Sequence, residues 1–222
     1  MFDRPPGPIR WERRPKPGGG ERRIARLDPI DDETYRRLVA RLVPRLERSL
    51  GPGAIANRAT VDGQLRPWPP ARRVWRRALR AALSERRVVI VAADVRECYA
   101  SIREPGLAAA GVGDELTAFL RGLRERGVEG LPIGPDPSAI LANGVLAVAD
   151  REAAAAGCRP IRWVDDVVFT AAGRRSAQLA FDAWRRSLEE LGLEANEDKT
   201  RWAVGRIDAL DVLGGIKPSH PG

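Results

Sequence analysis

Apolar and polar positions fall along this chain in a pattern that changes period several times, and each change predicts an element. Pro15-Lys16-Pro17-Gly18-Gly19-Gly20 disfavours regular structure and reads as a loop or hairpin tip. Asp31-Asp32-Glu33 marks a helix start, and apolar residues then recur at helical spacing through Leu38, Val39, Leu42, Val43 and Leu46. Gly51 to Pro70 is loop-like, and Arg72 to Arg87 reads as a short, very basic helix carrying Val74, Trp75, Ala78, Leu79, Ala82 and Leu83. The unbroken apolar run Val88–Ala93 predicts a buried strand. A helix follows over Asp114–Arg126, then a Pro/Gly loop over Gly130–Pro137, with Ser138 as N-cap of a helix from about Ala139 to Ala156. Ile161–Thr170 is apolar on both sides of Asp165-Asp166, which predicts a hairpin with the acidic pair near its turn. Ser176–Leu191 is amphipathic and closed by Gly192; short strands are expected at Thr200–Val204 and Val212–Ile216. There is no internal repeat. The order argues for an α+β fold in which an antiparallel sheet carries helices on one face.

Composition narrows what such a fold can do. At 222 residues, 43% hydrophobic and 31% charged, the chain reads as a soluble globular protein of one domain, or one domain with a small appendage. No apolar run approaches the ~18 residues of a membrane span, and no signal-peptide pattern opens the chain. Cys98 and Cys158 are the only cysteines, so a disulfide framework is excluded and a reducing cytoplasm is expected. The single histidine, His220, rules against histidine triads and multi-histidine zinc sites. Any catalysis must fall to carboxylates, Lys and Arg. The net charge of +8 is uneven: residues 1–87 hold 22 Lys/Arg against 10 Asp/Glu, whereas residues 88–222 hold 16 against 20. That asymmetry suits a polyanion-binding surface beside a cation-binding site, and equally a solvated basic surface in a chain biased toward Arg.

The candidate chemistry is acidic. Asp94 ends the apolar strand and Asp165-Asp166 interrupts the apolar hairpin; ionised carboxylates there are costly unless a cation or hydrogen bonds compensate. If the two strands are neighbours, Asp94 and Asp165 converge on a site for hard divalent cations with oxygen ligands, typically Mg²⁺ completed by substrate phosphates. Two such ions ~3.5–4 Å apart can clamp the attacking and leaving oxygens of a phosphoryl transfer. The plain alternative is that Asp-Asp merely makes a turn.

Six segments in order over about residues 9–216 resemble a reverse transcriptase through its fingers and palm. Val91-Ala92-Ala93-Asp94-Val95-Arg96-Glu97-Cys98-Tyr99 looks like motif A. Gly130–Ser138 followed by Leu141-Ala142-Asn143 looks like motif B. Arg162-Trp163-Val164-Asp165-Asp166 is similar to motif C, with Trp163 where the family usually has Tyr. Leu191–Thr200 resembles motif D, Val212-Leu213-Gly214-Gly215 motif E, and Pro15–Arg23 the fingers hairpin. The resemblance implies a right-hand polymerase architecture. Residues 1–87 would be a fingers-like basic region and 88–222 the palm, with no recognisable thumb.

Roles follow from the same resemblance. Asp94 and Asp165 would ligate two Mg²⁺ ions, for which Mn²⁺ could substitute, with the Val95 carbonyl as a further oxygen and Asp166 as the third carboxylate. Tyr99 would lie under the sugar and exclude a ribose 2′-OH; its alternative is an ordinary core aromatic. Five residues separate Asp94 from Tyr99, so the strand must end between them. Lys16 and Arg23 would reach the incoming triphosphate, while Arg22 divides evenly between that role and a basic tip touching nucleic-acid backbone. Lys199 would neutralise or protonate the pyrophosphate leaving group, or be a solvated lysine. In motif B, Ile133 and Gly134 would lie under the nucleotide with Ser138 close by. Many family members carry Leu-Pro-Gln-Gly; here Leu131-Pro132-Ile133-Gly134-Pro135 offers no side-chain amide. This variant is nearer to prokaryotic abortive-infection and defence-associated reverse transcriptases.

The leading expectation is therefore an RNA-directed DNA polymerase. It would add dNTPs to a 3′-hydroxyl, with an RNA template and a DNA or protein primer. Either the chain is a fragment or a separate thumb-like or helical partner would supply the missing grip, and Arg72–Arg87 would contact phosphates or simply face solvent. The alternatives are a non-catalytic RNA-binding scaffold that needs a partner, a template-independent or protein-primed DNA polymerase, and other palm chemistry such as RNA synthesis or nucleotide cyclisation.

Overall fold

The computed structural model describes residues 7–15, 19–84 and 89–215. It opens with a two-stranded antiparallel hairpin, β1 (Arg10–Pro15) and β2 (Glu21–Arg26), in which Arg13 lies opposite Arg23 and Arg14 opposite Arg22. The expected single helix from Asp31 to Leu46 is two, α1 (Pro29–Ala40) and α2 (Val43–Ser49). Asp28 caps α1 by accepting from the Ile30 amide at 3.1 Å, and Pro29 fits the first turn, where no intrahelical N–H is needed. Pro44 similarly opens a second helix rather than continuing the first.

The basic helix α3 spans Trp68–Leu83, starting four residues before the expected Arg72 because Pro69 and Pro70 sit comfortably in a first turn. β3 (Val89–Asp94) is buried along its whole length. Two short helices that the apolar pattern did not signal, α4 (Cys98–Ser101) and α5 (Glu104–Ala109), precede α6 (Asp114–Arg124). α7 runs from Asp136 to Ala155 with Pro135, not Ser138, as its cap. The hairpin β4 (Arg159–Trp163) and β5 (Asp166–Ala171) turns at Val164-Asp165, as expected. α8 (Arg174–Glu190), a 3-10 turn at Glu197–Lys199, β6 (Arg201–Val204) and α9 (Arg206–Gly215) complete the described chain.

The strand expected at Val212–Ile216 is not there: Val212 to Gly215 lie in α9, and Ile216 lies outside the described residues. Ala209, Val212 and Leu213 recur at helical spacing and turn inward together; the β-branched Val and the following glycines mimic a strand end.

Four strands form one antiparallel sheet in the order β4-β5-β3-β6. Val89, Val91, Ala93, Val167 and Phe169 face a large core shared with α1, α2, α6, α7 and α8. Ile90, Ala92, Ile161, Trp163, Val168 and Ala203 face a smaller one, covered by α3, α9 and the segment around Ile55. Helices thus cover both faces, not one. The physical reason is in the run Val88–Ala93 itself: apolar residues at odd and even positions demand cover on both sides. The outer edge of β4 is closed by residues 53–55, with the Arg162 amide donating to the Gly53 carbonyl at 2.8 Å and the Ile55 amide donating to the Arg162 carbonyl at 3.2 Å. Among the described residues no helix is long and apolar enough to cross a membrane.

Candidate active site

Two adjacent strand ends carry the acidic residues. Asp94 is the last residue of β3 and lies directly opposite Asp166, the first of β5, while Asp165 occupies the β4–β5 turn. Asp94 is only 3% exposed. Its Oδ2 accepts from Lys199 Nζ and from Asn196 Nδ2, each at 3.0 Å, and its backbone carbonyl accepts from the Asn196 amide at 2.7 Å. The segment after α8 is thereby laced onto the end of β3, with Val95, itself buried, bridging to Ala195. Burial pushes the Asp165 carboxyl up to about 6, and the Asp94 charge adds to that rise against the opposing pull of Lys199 and Arg22. Desolvation works against the charge on Lys199, but its bond to Asp94 and the fields of Asp94, Asp165 and Asp166 raise its pKa overall, so the ammonium stays protonated. Lys199 is therefore already engaged with Asp94, although its side chain remains 62% exposed.

Tyr99 reaches the same place by a sharp change of direction. β3 ends at Asp94, Glu97 adopts a left-handed φ of 44°, and Tyr99 follows on α4, which resolves the odd five-residue offset. The Tyr99 carbonyl accepts from the Leu131 amide at 2.8 Å. That approach requires Gly130, whose φ is 59° and whose added Cβ would stand 2.3 Å from the Tyr99 carbonyl oxygen. The Tyr99 hydroxyl is raised by burial, and Asp165 and Arg22 both act on it electrostatically.

The hairpin β1–β2 docks on the 130–137 loop through backbone: the Ala25 amide donates to the Ile133 carbonyl at 2.7 Å. Gly134, at φ +125°, allows it, since a Cβ there would meet Ile24 Cγ2 at 2.7 Å. Ile133 and Gly134 thus have a visible job in joining the hairpin to the core. Opposite residues share a hairpin face, so Arg22 and Ile24 lie on one side and Arg23 and Trp11 on the other. Arg22 is the one whose charge reaches Asp165 and Tyr99; Arg23 stacks over the Trp11 ring at 4.1 Å. Lys16 lies outside the described residues. Ser138 is fully buried and shares a 3.0 Å hydrogen bond with the Tyr35 hydroxyl, so it packs in the core here and is not the cap of α7.

One group near the acidic turn went unassigned in the sequence. Arg162 is 2% exposed. Its Nε donates to Asp150 Oδ2 at 2.6 Å, and its Nη1 to Asn143 Oδ1 at 2.7 Å and to the Val164 carbonyl at 2.9 Å. Its Nη2 donates to the Asn143 carbonyl at 3.2 Å, and Asn143 Nδ2 in turn donates to the carbonyls of Ala56 and Asn57. Val164 has a φ of 58°, a costly conformation for a β-branched residue. The guanidinium grips the carbonyl of that residue and so braces the turn that presents Asp165. The signal available in the sequence was a lone Arg inside an apolar strand, which must be paired if buried.

Asp94 Oδ1 and Asp165 Oδ1 are buried and accept no hydrogen bond. Buried carboxylate oxygens without donors are costly, and their hard, anionic chemistry would suit a hard cation. Among the described residues no group of three or more His, Cys, Asp and Glu side chains is gathered as a ready-made metal cage. A carboxylate pair that leaves the remaining positions to substrate phosphates fits Mg²⁺ without such a cage.

No protein-family model and no curated protein matches the chain. Solved structures do. Apo telomerase from Candida tropicalis aligns with a TM-score of 0.56 at 13% identity over 90% of this chain and 44% of that one. The same telomerase truncated from its C-terminal domain gives 0.54 at 13% over 90% and 50%, and an "RdRp complex" gives 0.55 at 11% over 90% and 21%. The chain therefore has a nucleic-acid polymerase-like fold and spans half or less of each of these chains.

Proposed function

We propose that this protein is a reverse transcriptase-like nucleotidyl transferase that adds deoxynucleotides to a 3′-hydroxyl on an RNA template. The observation that carries the reading is the pair of buried Asp94 and half-buried Asp165, each with a buried oxygen lacking a donor, at adjacent strand ends of a polymerase-like sheet. Asp94 and Asp165 would hold Mg²⁺ or Mn²⁺ with Asp166 beside them, and bound cations would supply charge stabilisation for phosphoryl transfer. Lys199 holds a proton beside Asp94 and is exposed enough to turn toward a leaving pyrophosphate. Arg22, on the hairpin face whose charge acts on Asp165, suits an incoming triphosphate. Tyr99, half-buried on α4 where its carbonyl meets the Leu131 amide, suits the floor of a sugar pocket that favours dNTPs. A DNA or protein primer and a phage-defence role belong to the same proposal and are supported by the motif B variant, a cytoplasmic setting is supported by the presence of only two cysteines, and a thumb-like helical partner is proposed with them.

The test is incorporation of labelled dNTP with Mg²⁺ or Mn²⁺ by wild type and by Asp165→Asn/Asp166→Asn. Wild type should incorporate and the variant should lose at least about a thousandfold, the scale on which charge-stabilising groups act; equal incorporation removes the site. A second reading, a non-catalytic RNA-binding scaffold, is favoured by one observation: the Lys199 ammonium already neutralises Asp94 at 3.0 Å. RNA binding without incorporation under either metal selects it.

A further inference from the structure

Among the described helices, α3 is unlike every other in its charge. Across Trp68–Leu83 it carries five arginines and no carboxylate. The other long helices mix signs: α1 sets Asp31, Asp32 and Glu33 beside Arg36 and Arg37, α6 sets Asp114 and Glu115 against Arg121 and Arg124, and α8 sets Asp182, Glu189 and Glu190 among four arginines. On α3, Arg73, Arg76, Arg77 and Arg80 are exposed at spacings of three and four, which puts them on one face. Among the described residues none of the four makes an ion pair, whereas Arg13, Arg14, Arg26, Arg36, Arg41 and Arg58 each meet a carboxylate. Four like charges in a row repel one another and destabilise an isolated helix, so something must hold this one in place.

What holds it is its other face. Trp75, Leu79 and Ala82 are buried in the smaller core. The rings of Trp68 and Trp75 pack against Trp163 at 5.1 and 5.6 Å between centroids. Trp163 is the residue before the Val164-Asp165 turn, so the helix is anchored directly behind the carboxylates and its arginine face is fixed relative to them. The stripe from residue 73 to residue 80 is ~10 Å long at 1.5 Å per residue, a length over which one nucleic-acid strand presents roughly three phosphates.

We propose, resting on the polymerase reading, that the outer face of α3 is a phosphate-backbone grip for the primer–template duplex, supplying on the palm itself a contact surface beside the active site. Guanidinium forks match phosphate oxygens two at a time. A membrane surface is the poorer partner, because interfacial helices insert several large apolar side chains and, Val74 apart, those of α3 are spent on the palm. An acidic protein segment is poorer too, because its carboxylates come singly while phosphates come in register.

The experiment is fluorescence anisotropy of the full chain with a labelled 20-bp RNA–DNA hybrid at 50–300 mM KCl, without nucleotide or divalent cation. Wild type is compared with Arg73→Ala/Arg76→Ala/Arg77→Ala/Arg80→Ala and with a charge-matched control on α8, Arg174→Ala/Arg175→Ala/Arg185→Ala/Arg186→Ala. Far-UV circular dichroism melts check that each folds, and Arg76→Gln/Arg77→Gln replaces the fourfold variant if that one melts early. The α3 variant should bind at least about tenfold more weakly at 100 mM salt and lose about three units from the slope of log K against log salt, at ~0.9 per phosphate contact. The α8 control should lose clearly less of both. Equal losses in the two variants overturn the proposal. So does retained hybrid binding by the α3 variant together with loss of binding to phosphatidylserine vesicles, which would make the stripe a membrane contact. Catalysis is tested separately: if wild type extends a primer while the α3 variant binds normally, the stripe falls and the polymerase stands. If the α3 variant loses the hybrid in a chain that never incorporates dNTP, the stripe stands and the polymerase falls.

Discussion

At the scale of single residues, the site is defined by charges held where water cannot fully reach them. Asp165 has its carboxyl raised to about 6 by burial and by Asp94. An acid whose folded pKa lies above its unfolded value of ~3.9 holds its proton longer when folded, so stability falls as pH rises from about 4 to 6 and is level beyond. The cost at neutral pH is up to about 3 kcal/mol. Thermal melts in EDTA should therefore show Asp165→Asn gaining on wild type between pH 4 and pH 7, and Mg²⁺ should narrow the gap at pH 7.5; parallel curves for the two chains would refute the burial argument. Arg162 makes a different prediction. Arg162→Ala strands a buried Asp150 and should cost about 3–5 kcal/mol in urea unfolding. Arg162→Met/Asp150→Leu removes both charges and should recover most of that loss. It should nonetheless incorporate dNTP at least about tenfold more slowly, because the Val164 carbonyl loses its brace. Recovery of activity along with stability would mean that Arg162 does no more than fill the core. The sequence signalled only that an Arg in an apolar strand needs partners; it takes the fold to bring Asn143, Asp150 and Val164 around one guanidinium.

At the scale of elements, apolar period located most of the helices and strands but misjudged their ends. The β4–β5 hairpin and its acidic turn could be read directly, because six apolar residues flanking two aspartates leave few other options. α9 could not, because a short apolar run containing β-branched residues is ambiguous between strand and helix until its neighbours are known. Ser138 looked like a cap for the same reason: only the fold shows the Tyr35 hydroxyl waiting for it. The docking of β1–β2 onto the 130–137 loop was also hidden, since it runs through the Ile133 carbonyl rather than a side chain. Gly134→Ala tests that joint. A Cβ at φ +125° and 2.7 Å from Ile24 should cost about 1–3 kcal/mol and speed exchange of the Ala25 amide in hydrogen-exchange measurements. Because the hairpin carries Arg22, KM for dNTP should rise more than kcat falls. An unchanged Ala25 amide would show the hairpin to be held elsewhere.

At the scale of the whole molecule, the charge asymmetry seen in the sequence becomes spatial. The basic half supplies the hairpin and α3, the acidic half supplies the carboxylate pair, and one sheet places α3 behind the acidic turn. That both faces of the sheet are covered follows from the unbroken apolar run in β3. The polymerase-like likeness is one of fold, over at most half of each neighbour, so the chemistry rests on the two open carboxylate oxygens. Binding of Mn²⁺ followed by electron paramagnetic resonance, with a dNTP present, addresses them most directly. Wild type should hold Mn²⁺ that Asp94→Asn and Asp165→Asn each lose, while both variants keep the wild-type fold by circular dichroism. Undiminished Mn²⁺ binding in either variant would contradict the account at its root.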